Sequence, residues 1–157
     1  MNPFFRVDNR LIHGQIIASW LPHLRLTRFV VANDAVPDNE LQHTMFRMAI
    51  PPGVALETLA VEATGRWLNE HRGGDDRTMV IVESIADAVR LFSKHPFPAL
   101  NIGNLHHAAG HRRYTDAVYL GDTDRQALCR LAERGVRIEI RSLPHESPLD
   151  LTRALVG

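Results

Sequence analysis

The sequence lacks the features that would indicate a secreted, membrane-embedded or nucleic-acid-binding protein. It contains one cysteine, Cys129, so the chain cannot form an internal disulfide, and a reducing cytosol is the expected compartment. Eighteen Lys and Arg residues balance eighteen Asp and Glu residues, and the two signs are interspersed. Because there is no basic arm and no acidic tail, we expect neither nucleic acid nor an anionic membrane surface as a partner.

Long apolar runs are also missing. No stretch is long enough to cross a bilayer, and the first residues lack the basic segment and apolar core of a secretion signal. The length of 157 residues suits one domain, and 45% hydrophobic with 23% charged residues is an ordinary globular balance. We therefore expect a single cytoplasmic domain over residues 1–157 that binds any charged ligand locally.

The order of the apolar segments predicts an α/β fold. Short runs rich in β-branched residues alternate with longer amphipathic runs, which is typical of an open, mostly parallel β-sheet of about seven strands flanked by helices. Candidate strands lie at residues 4–7, 28–32, 54–59, 78–82, 99–103, 117–120 and 136–141. The second and fourth are apolar enough to be buried on both faces. The last alternates apolar and charged residues, which predicts a solvated face or a position near the sheet edge.

Capping residues predict where two of the helices begin. Ser84 with Asp87 has the capping spacing, and the apolar positions that follow should pack on the sheet. Thr123 with Gln126 has the same spacing in a second helix, which should end at Gly135.

A third helix is predicted over residues 37–50. Pro37 suits its first turn, because proline has no N–H group to leave unpaired there. The apolar stripe expected to face the core comprises Leu41, Met45, Met48 and Ala49. The two methionines are interpreted as core filling rather than as a ligand-binding set.

The polar residues between the first predicted strand and the first helix form the main candidate site. Residues 8–13 lie at the carboxyl end of a strand, the edge at which open α/β sheets bind ligands. The backbone N–H groups of Gly14, Gln15 and Ile16 begin a helix and favour an anion such as phosphate. Arg10 adds positive charge and fork-shaped donors. The pattern predicts a site for a phosphoryl group.

His13 is the natural acceptor of that group. A neutral imidazole nitrogen is nucleophilic, and histidine is partly uncharged near neutral pH. Asp8 has three open interpretations, since it could orient the ring, accept its proton or pair with Arg10. Gly14 lets the backbone approach a ligand closely. No metal is required for a histidine to accept the group, and no Gly-x-Gly-x-x-Gly or Walker-type loop accompanies these residues, so no cofactor is expected.

The stretch RVDNRLIHGQ, Arg6 to Gln15, closely resembles the active-site loop of the EIIB component of the mannose/fructose/sorbose family of the bacterial sugar phosphotransferase system (PTS). The family pattern reads Arg-[Val/Ile]-Asp-[Asp/Asn]-Arg-Leu-Ile-His-Gly-Gln. Further segments resemble the family in the same order, namely VVANDAVPDNE (30–40), PPGVAL (51–56), NIGNLH (101–106) and LAERGVRIEIRSLP (131–144). The resemblance therefore extends over almost the whole chain.

By this resemblance, His13 carries the phosphoryl group. It would receive the group from a phosphohistidine on an EIIA protein and pass it to a sugar bound by the EIIC and EIID membrane components, which select the sugar. The protein would be cytoplasmic, peripherally associated with that permease, and free of cofactors. Members of this type are often dimers, so a homodimer is a further expectation.

The resemblance also implies roles for the neighbours of His13. Arg10 would stabilise the phosphohistidine, and Gly14 and Gln15 would contribute backbone donors. The residues carried over only as supports of the loop are Arg6, Asp8 and Asn9. Asn9 stands where the family usually has a second acidic residue, which removes a negative charge beside the phosphate and should tune transfer rather than abolish it.

Other polar residues follow other predicted strands at the same edge of the sheet. These candidate rim residues, for which turn formation is the alternative interpretation, are Asn33, Asp34, Asn104 and His106. The segment NLHHAAGHRR holds His106, His107 and His111, so a zinc site is one alternative function. It lacks both cysteine and the Glu of His-Glu-x-x-His, which favours a solvated loop. A second alternative makes His13 the phosphorylated residue of a regulatory PTS domain that reports phosphorylation without sugar transport.

Overall fold

The apolar runs of the sequence form a seven-stranded sheet in the computed structural model, which describes residues 2–156. In chain order, the strands are β1 (Phe4–Asp8), β2 (Arg28–Ala32), β3 (Ala55–Leu59), β4 (Thr78–Val82), β5 (Ala99–Asn104), β6 (Arg112–Arg113), β7 (Tyr119–Leu120), β8 (Arg137–Ile140) and β9 (Leu149–Asp150). Strands β6 and β7 form a separate two-stranded ribbon, and the other seven form the large sheet. The order in the large sheet is β3-β2-β4-β1-β5-β8-β9, and only β9 runs antiparallel to its neighbour. The predicted α/β fold with a mostly parallel sheet is confirmed.

Helices cover both faces of this sheet. They are α1 (residues 14–24), α2 (Glu40–Ala49), α3 (Val61–Glu70), α4 (Ile85–Lys94), α5 (Asp122–Glu133) and α6 (Thr152–Val156). Helix α1 is irregular, because Ile16–Trp20 is π-helical and Leu21–Leu24 is α-helical. One apolar cluster packs α1 and α2 on the sheet, and the other packs α3, α4 and α5 on the opposite face. Within residues 2–156, no helix combines the length and apolar character needed to cross a bilayer.

The strands at the centre of the sheet match the sequence prediction closely. All five residues of β4 and four of the five in β2 are buried, as expected for strands covered on both faces. Strand β8 alternates exposed and buried positions and is followed only by the two-residue β9, so its predicted place near the edge is confirmed.

The strand predicted at residues 117–120 is present in part but lies outside the large sheet. Tyr119–Leu120 pairs with β6 in a separate ribbon, and Val118 forms an isolated parallel bridge with Leu105, just past the end of β5. Strand β5 itself is paired with β1 on one side and β8 on the other, so this segment cannot join the sheet beside it. Val118 and Leu120 nevertheless bury their side chains in the main cluster, which explains their apolar character. The seventh strand of the sheet is β9 instead, which is too short to show a periodic pattern.

The two predicted helix starts have different outcomes. The Ser84 hydroxyl accepts a hydrogen bond from the Asp87 N–H at 3.1 Å, which confirms that cap. The capping box predicted at Thr123 is wrong, because Gly121 precedes the helix and its N–H donates to the Asp124 carboxylate at 3.0 Å. Acidic residues suit this first turn, where the helix dipole is positive. The predicted helix end at Gly135 is confirmed, because Gly135 follows the last turn of α5 with φ of 91°, a conformation that glycine adopts without strain.

The predicted orientation of α2 is also wrong. Pro37 lies in a short 3-10 turn before the helix, and Asn39 is the residue that caps it. The predicted stripe faces solvent, since Ala49 is exposed and the exposed fractions are 72% for Leu41, 61% for Met45 and 81% for Met48. Phe46 and the following Ile50 are buried instead. The larger aromatic side chain decided between two apolar faces of similar spacing.

Candidate active site

The candidate site lies on the loop that connects β1 to α1, in the middle of the sheet. Strand β1 pairs with β4 and β5, so its carboxyl end is flanked by two other strand ends. Leu11 and Ile12 bury their side chains under this loop, which leaves Arg10 and His13 at its outer side. Leu11 has φ of 58°, a left-handed conformation that costs a non-glycine residue roughly 1–2 kcal/mol. Burial of the Leu11 side chain offsets that cost and holds the loop in its unusual course.

The Asp8 carboxylate is the centre of the site and is fully buried. Its Oδ1 accepts hydrogen bonds from the backbone N–H and Nε of Arg10 at 3.0 and 3.1 Å. Its Oδ2 accepts bonds at 3.1 Å each from Nη2 of Arg10 and Nη2 of Arg6, and lies 3.1 Å from Nε2 of His13. Burial acts to raise the pKa of Asp8, but hydrogen bonds from His13 and Arg10 and the charge of Arg6 outweigh it and hold the pKa well below its usual value. Asp8 is therefore ionised across the physiological range.

Two arginines and one carboxylate leave the site with a net positive charge before any ligand arrives. Arg6 is buried inside β1, and burial lowers its pKa while the charge of Asp8 acts in the opposite direction. Arg10 is more accessible, with 32% of its side chain exposed. The exposed guanidinium can therefore turn towards an incoming anion while the buried one stays fixed.

The contact with Asp8 decides which nitrogen of His13 is free. An ionised carboxylate only accepts hydrogen bonds, so the Nε2 atom that faces it carries the proton. In the neutral ring, the Nδ1 atom then keeps its lone pair. The side chain is 17% exposed, so part of it is accessible to solvent.

Gly14 and Gln15 begin α1 beside His13 and are exposed, so their predicted role as backbone donors to a phosphate stays a prediction. A methyl group in place of the Gly14 hydrogen would meet nothing within 4 Å, so space is open there. Gln15 Oε1 accepts a bond from Arg10 Nη2 at 3.3 Å. Both Arg10 and Gln15 also line a cleft of about 460 Å³ next to the loop that follows β8.

The candidate rim residues divide into two groups. Asn104 and His106 lie next to the site, because the Asn9 amide is 2.7 Å from Asn104 Nδ2 at one end and 3.0 Å from His106 Nε2 at the other. Asn33 and Asp34 follow β2, which β4 separates from β1. The Asn33 side chain accepts bonds from the N–H groups of Ala35 and Val36, and Asp34 binds the Val61 N–H and Arg90. The structure therefore brings only the first group together with the β1 loop.

The histidines after β5 have separate surroundings. His106 is next to Asn9, the ring of His107 packs edge-on against Tyr119, and His111 lies against Gly121. Across residues 2–156, no group of three or more His, Cys, Asp and Glu side chains is arranged to hold a metal ion.

Several residues that build the site were missed in the sequence. Asn101, Gly103 and Ser142 all contact or make room for the Arg6 side chain. One signal could have indicated the ion pair itself: Arg6 and Asp8 are two apart in an otherwise apolar strand, so both point to the same face. The remaining contacts had no local signal, because they join segments far apart in the chain.

Comparison with known proteins identifies the family of this chain. The family model described as "PTS system sorbose subfamily IIB component" matches residues 3–156. The PTS system fructose-specific EIIB component of Bacillus subtilis is 26% identical, covering 96% of this chain and 93% of its own. The mannose-specific EIIAB component of Escherichia coli is also 26% identical, with 93% of this chain covered, and the chain spans 46% of that longer protein.

A solved structure gives the same result for the fold. The crystal structure of a PTS-dependent N-acetylgalactosamine IIB component from Streptococcus pyogenes superposes with a TM-score of 0.90 at 27% identity. The match covers 98% of this chain and 97% of the other. Because the family model matches nearly the full length of this chain, the chain belongs to the sorbose subfamily of IIB components of the sugar phosphotransferase system.

Proposed function

We propose that this protein carries a phosphoryl group on Nδ1 of His13, accepting it from a phosphorylated EIIA protein and passing it to a sugar. The observation that carries the proposal is the 3.1 Å contact between His13 Nε2 and the buried, ionised Asp8, which leaves the other nitrogen free. Phosphorylation at Nε2 would break that contact, whereas phosphorylation at Nδ1 preserves it. Arg10 and the start of α1 are beside the ring, where a phosphate needs positive charge.

The partners follow from the family. A mannose-specific relative is named as an EIIAB component, which supports an EIIA domain as the phosphoryl donor. The acceptor would be a sugar bound by the EIIC and EIID membrane components. We therefore place the protein in the cytoplasm, associated with the membrane through those components.

In the first step, the Nδ1 lone pair of His13 attacks the phosphorus of the donor phosphohistidine. The donor N–P bond breaks and its electron pair returns to the donor ring, so the number of N–P bonds is unchanged. The His13 ring is left as a phosphoimidazolium with its proton on Nε2, and the Asp8 carboxylate offsets the positive charge. Arg10 and the backbone N–H groups of Gly14 and Gln15 would bind the phosphoryl oxygens.

In the second step, a sugar hydroxyl oxygen attacks the phosphorus and releases its proton to a base of the sugar-binding component. The N–P bond breaks and its electron pair returns to Nδ1, which regenerates the neutral ring. Because Asp8 keeps the proton on Nε2, the leaving ring departs uncharged rather than as an anion. The donor already carries an activated phosphoryl group, so positioning and positive charge account for the catalysis without a nucleotide cofactor.

The test compares His13→Ala with the matched control His107→Ala, a histidine exposed on the loop after β5. Each protein is treated with phosphoramidate, a small phosphoryl donor, and separately with a phosphorylated EIIA domain of the mannose type. The wild type and the control should acquire an acid-labile, base-stable phosphate that peptide mass spectrometry places on residue 13. The same label on His13→Ala would refute the proposal. Labelling by phosphoramidate but not by EIIA would keep the acceptor residue and reject this donor.

A further inference from the structure

Arg6 is a fixed charge in the interior of the protein. It lies in the central strand β1 and is 1% exposed. A buried guanidinium is costly unless its donors are used, and here both terminal nitrogens are. Nη1 donates to Asn101 Oδ1 at 2.7 Å and to the Arg141 carbonyl at 3.1 Å. Nη2 donates to Asp8 Oδ2 and to the Ser142 carbonyl, each at 3.1 Å.

The surroundings of Arg6 leave its guanidinium no other position. A Cβ atom on Gly103 in the adjacent strand β5 would overlap the guanidinium, so glycine is required for the close approach. On the other side, the Trp20 ring of α1 lies 5.1 Å from the guanidinium carbon. The Trp20 indole N–H also donates to the Ser142 carbonyl at 2.8 Å, which holds the loop after β8 against the same group. Three separate elements therefore enclose one side chain.

The enclosed guanidinium determines where Asp8 Oδ2 lies. Arg10 also binds both carboxylate oxygens, but its side chain is 32% exposed, whereas that of Arg6 is fully buried. His13 Nε2 contacts Oδ2, the same oxygen that Arg6 binds. The orientation of the His13 ring therefore follows from the position of Arg6, through the oxygen that both side chains bind.

We propose that Arg6 is a positioning residue for phosphoryl transfer: it holds Asp8 so that Oδ2 retains the Nε2–H tautomer of His13 and Nδ1 faces the donor. The inference rests on the proposed function, since it assigns the reacting nitrogen of the same histidine. Without a fixed Arg6, the carboxylate can follow the partly exposed Arg10, and the ring is free to exchange tautomers. Gly103 and Asn101 support the same arrangement from β5.

A direct test reads the tautomer of His13 by ¹⁵N NMR of the imidazole in the full chain, without any phosphoryl transfer. Arg6→Lys keeps the charge but loses the fork of donors. The matched control is Arg28→Lys, which changes a half-buried strand arginine that pairs with Glu57 and Asp76. The Nε2–H tautomer should predominate in the wild type and the control and lose its predominance in Arg6→Lys. An unchanged tautomer ratio in folded Arg6→Lys would overturn the inference.

A double-mutant cycle separates positioning from a merely structural role. With phosphoramidate as donor, Arg6→Lys should slow labelling of residue 13 by about 10–100-fold, the range typical for residues that orient a functional histidine. In an Asp8→Asn background, the same change should slow it by less than about twofold, because Arg6 acts through Asp8. Equal factors in both backgrounds would reject the pathway through Asp8.

If Arg6→Lys does not fold, Asn101→Ala makes the same test with a smaller change, since it removes the acceptor 2.7 Å from Arg6 Nη1. Its thermal unfolding should remain cooperative, and its His13 tautomer ratio should shift in the same direction as expected for Arg6→Lys. A folded Asn101→Ala with the wild-type ratio would then overturn the inference. Failure of the wild type to be labelled at His13 would instead defeat the proposed function, while the tautomer comparison would still decide the role of Arg6.

Discussion

Two histidine-containing loops lie side by side at the carboxyl edge of the sheet, after β1 and after β5. Strands β1 and β5 are hydrogen-bonded neighbours, and Asn9 in the first loop contacts Asn104 at the end of β5 and His106 in the second loop. The loop after β5 is richer in histidine, with His106, His107 and His111, but their partners are an amide, an aromatic ring and a glycine backbone. The loop after β1 has one histidine, and it faces a buried carboxylate.

The difference shows that the number of histidines says little about their chemistry. What distinguishes His13 is a charge that the interior holds in one place, since Asp8 and Arg6 are both buried and paired with each other. A buried pair of this kind adds little stability over apolar residues of similar volume, but removing one partner is costly because it leaves the other charge buried and uncompensated. The ion pair described in the segment after β5, between Arg113 and Asp116, is exposed instead of buried.

Replacing Asp8 should have the largest effect on phosphoryl acceptance, because it removes the buried carboxylate that distinguishes His13 from the histidines after β5. Asp8→Asn keeps the shape but leaves His13 without a carboxylate, so phosphoryl acceptance should fall by at least about 100-fold. It also leaves buried Arg6 unneutralised, which should lower the free energy of unfolding by about 3–5 kcal/mol. Single-turnover labelling and urea unfolding measure the two effects. The control Asp76→Asn, at an exposed carboxylate, should change neither greatly, and a fully active Asp8→Asn would contradict the role of the carboxylate.

The exposed arginine of the β1 loop tests charge rather than geometry. Arg10→Ala should slow phosphoryl acceptance by about 100-fold, the loss expected for one preorganised donor to a reacting oxyanion. The free energy of unfolding should change by less than about 1 kcal/mol, because the ion pair is partly exposed. Arg10→Lys is the matched variant and should recover part of the rate. Unchanged kinetics in Arg10→Ala would remove this residue from the mechanism.

Acid should lower the free energy of unfolding through the Asp8 carboxylate of the β1 loop. The folded-state pKa of Asp8 lies below its unfolded value, so its pairing stabilises the protein above about pH 4 and is lost as the pH falls towards the folded-state pKa. The wild type should therefore lose about 1 kcal/mol more of its free energy of unfolding than Asp8→Asn between pH 7 and pH 3, since the unfolded-state carboxyl is largely protonated at pH 3. Urea unfolding at the two pH values measures this difference. Equal losses in both proteins would show that Asp8 is not the group responsible.

The smallest effect is expected in the histidine-rich loop. His107→Ala combined with His111→Ala should leave phosphoryl acceptance within about twofold of the wild type, as for substitutions outside a site. Metal analysis of both proteins, purified without chelator, checks the alternative function of this loop. Stoichiometric zinc that the wild type retains and the double variant loses would revive it.

The strands β2 and β4 were predicted correctly, because a strand that is buried on both faces is a continuous apolar run in the sequence. Errors arose where a local pattern had more than one solution. Leu41, Met45 and Met48 have helical spacing, but Phe46 packs on the sheet instead. Val118 and Leu120 are apolar because they cover the core, and this resembles a strand of the sheet in sequence. They do not join the sheet, because β5 is already paired with β1 and β8.

The amino-acid sequence by itself determined the α/β class, the place of His13, Arg10 and Asp8 on one loop and the start of a helix beside them, because these depend on neighbours within a few residues. Only the tertiary structure decided that Asp8 is ionised, that Nε2 is its partner and that Arg6 is held in the interior. The acceptors that bury Arg6 lie 95 and 136 residues away in the chain, in Asn101 and Ser142. This buried charge is stable because distant segments of the chain supply its hydrogen-bond acceptors, and a local sequence pattern cannot predict such contacts.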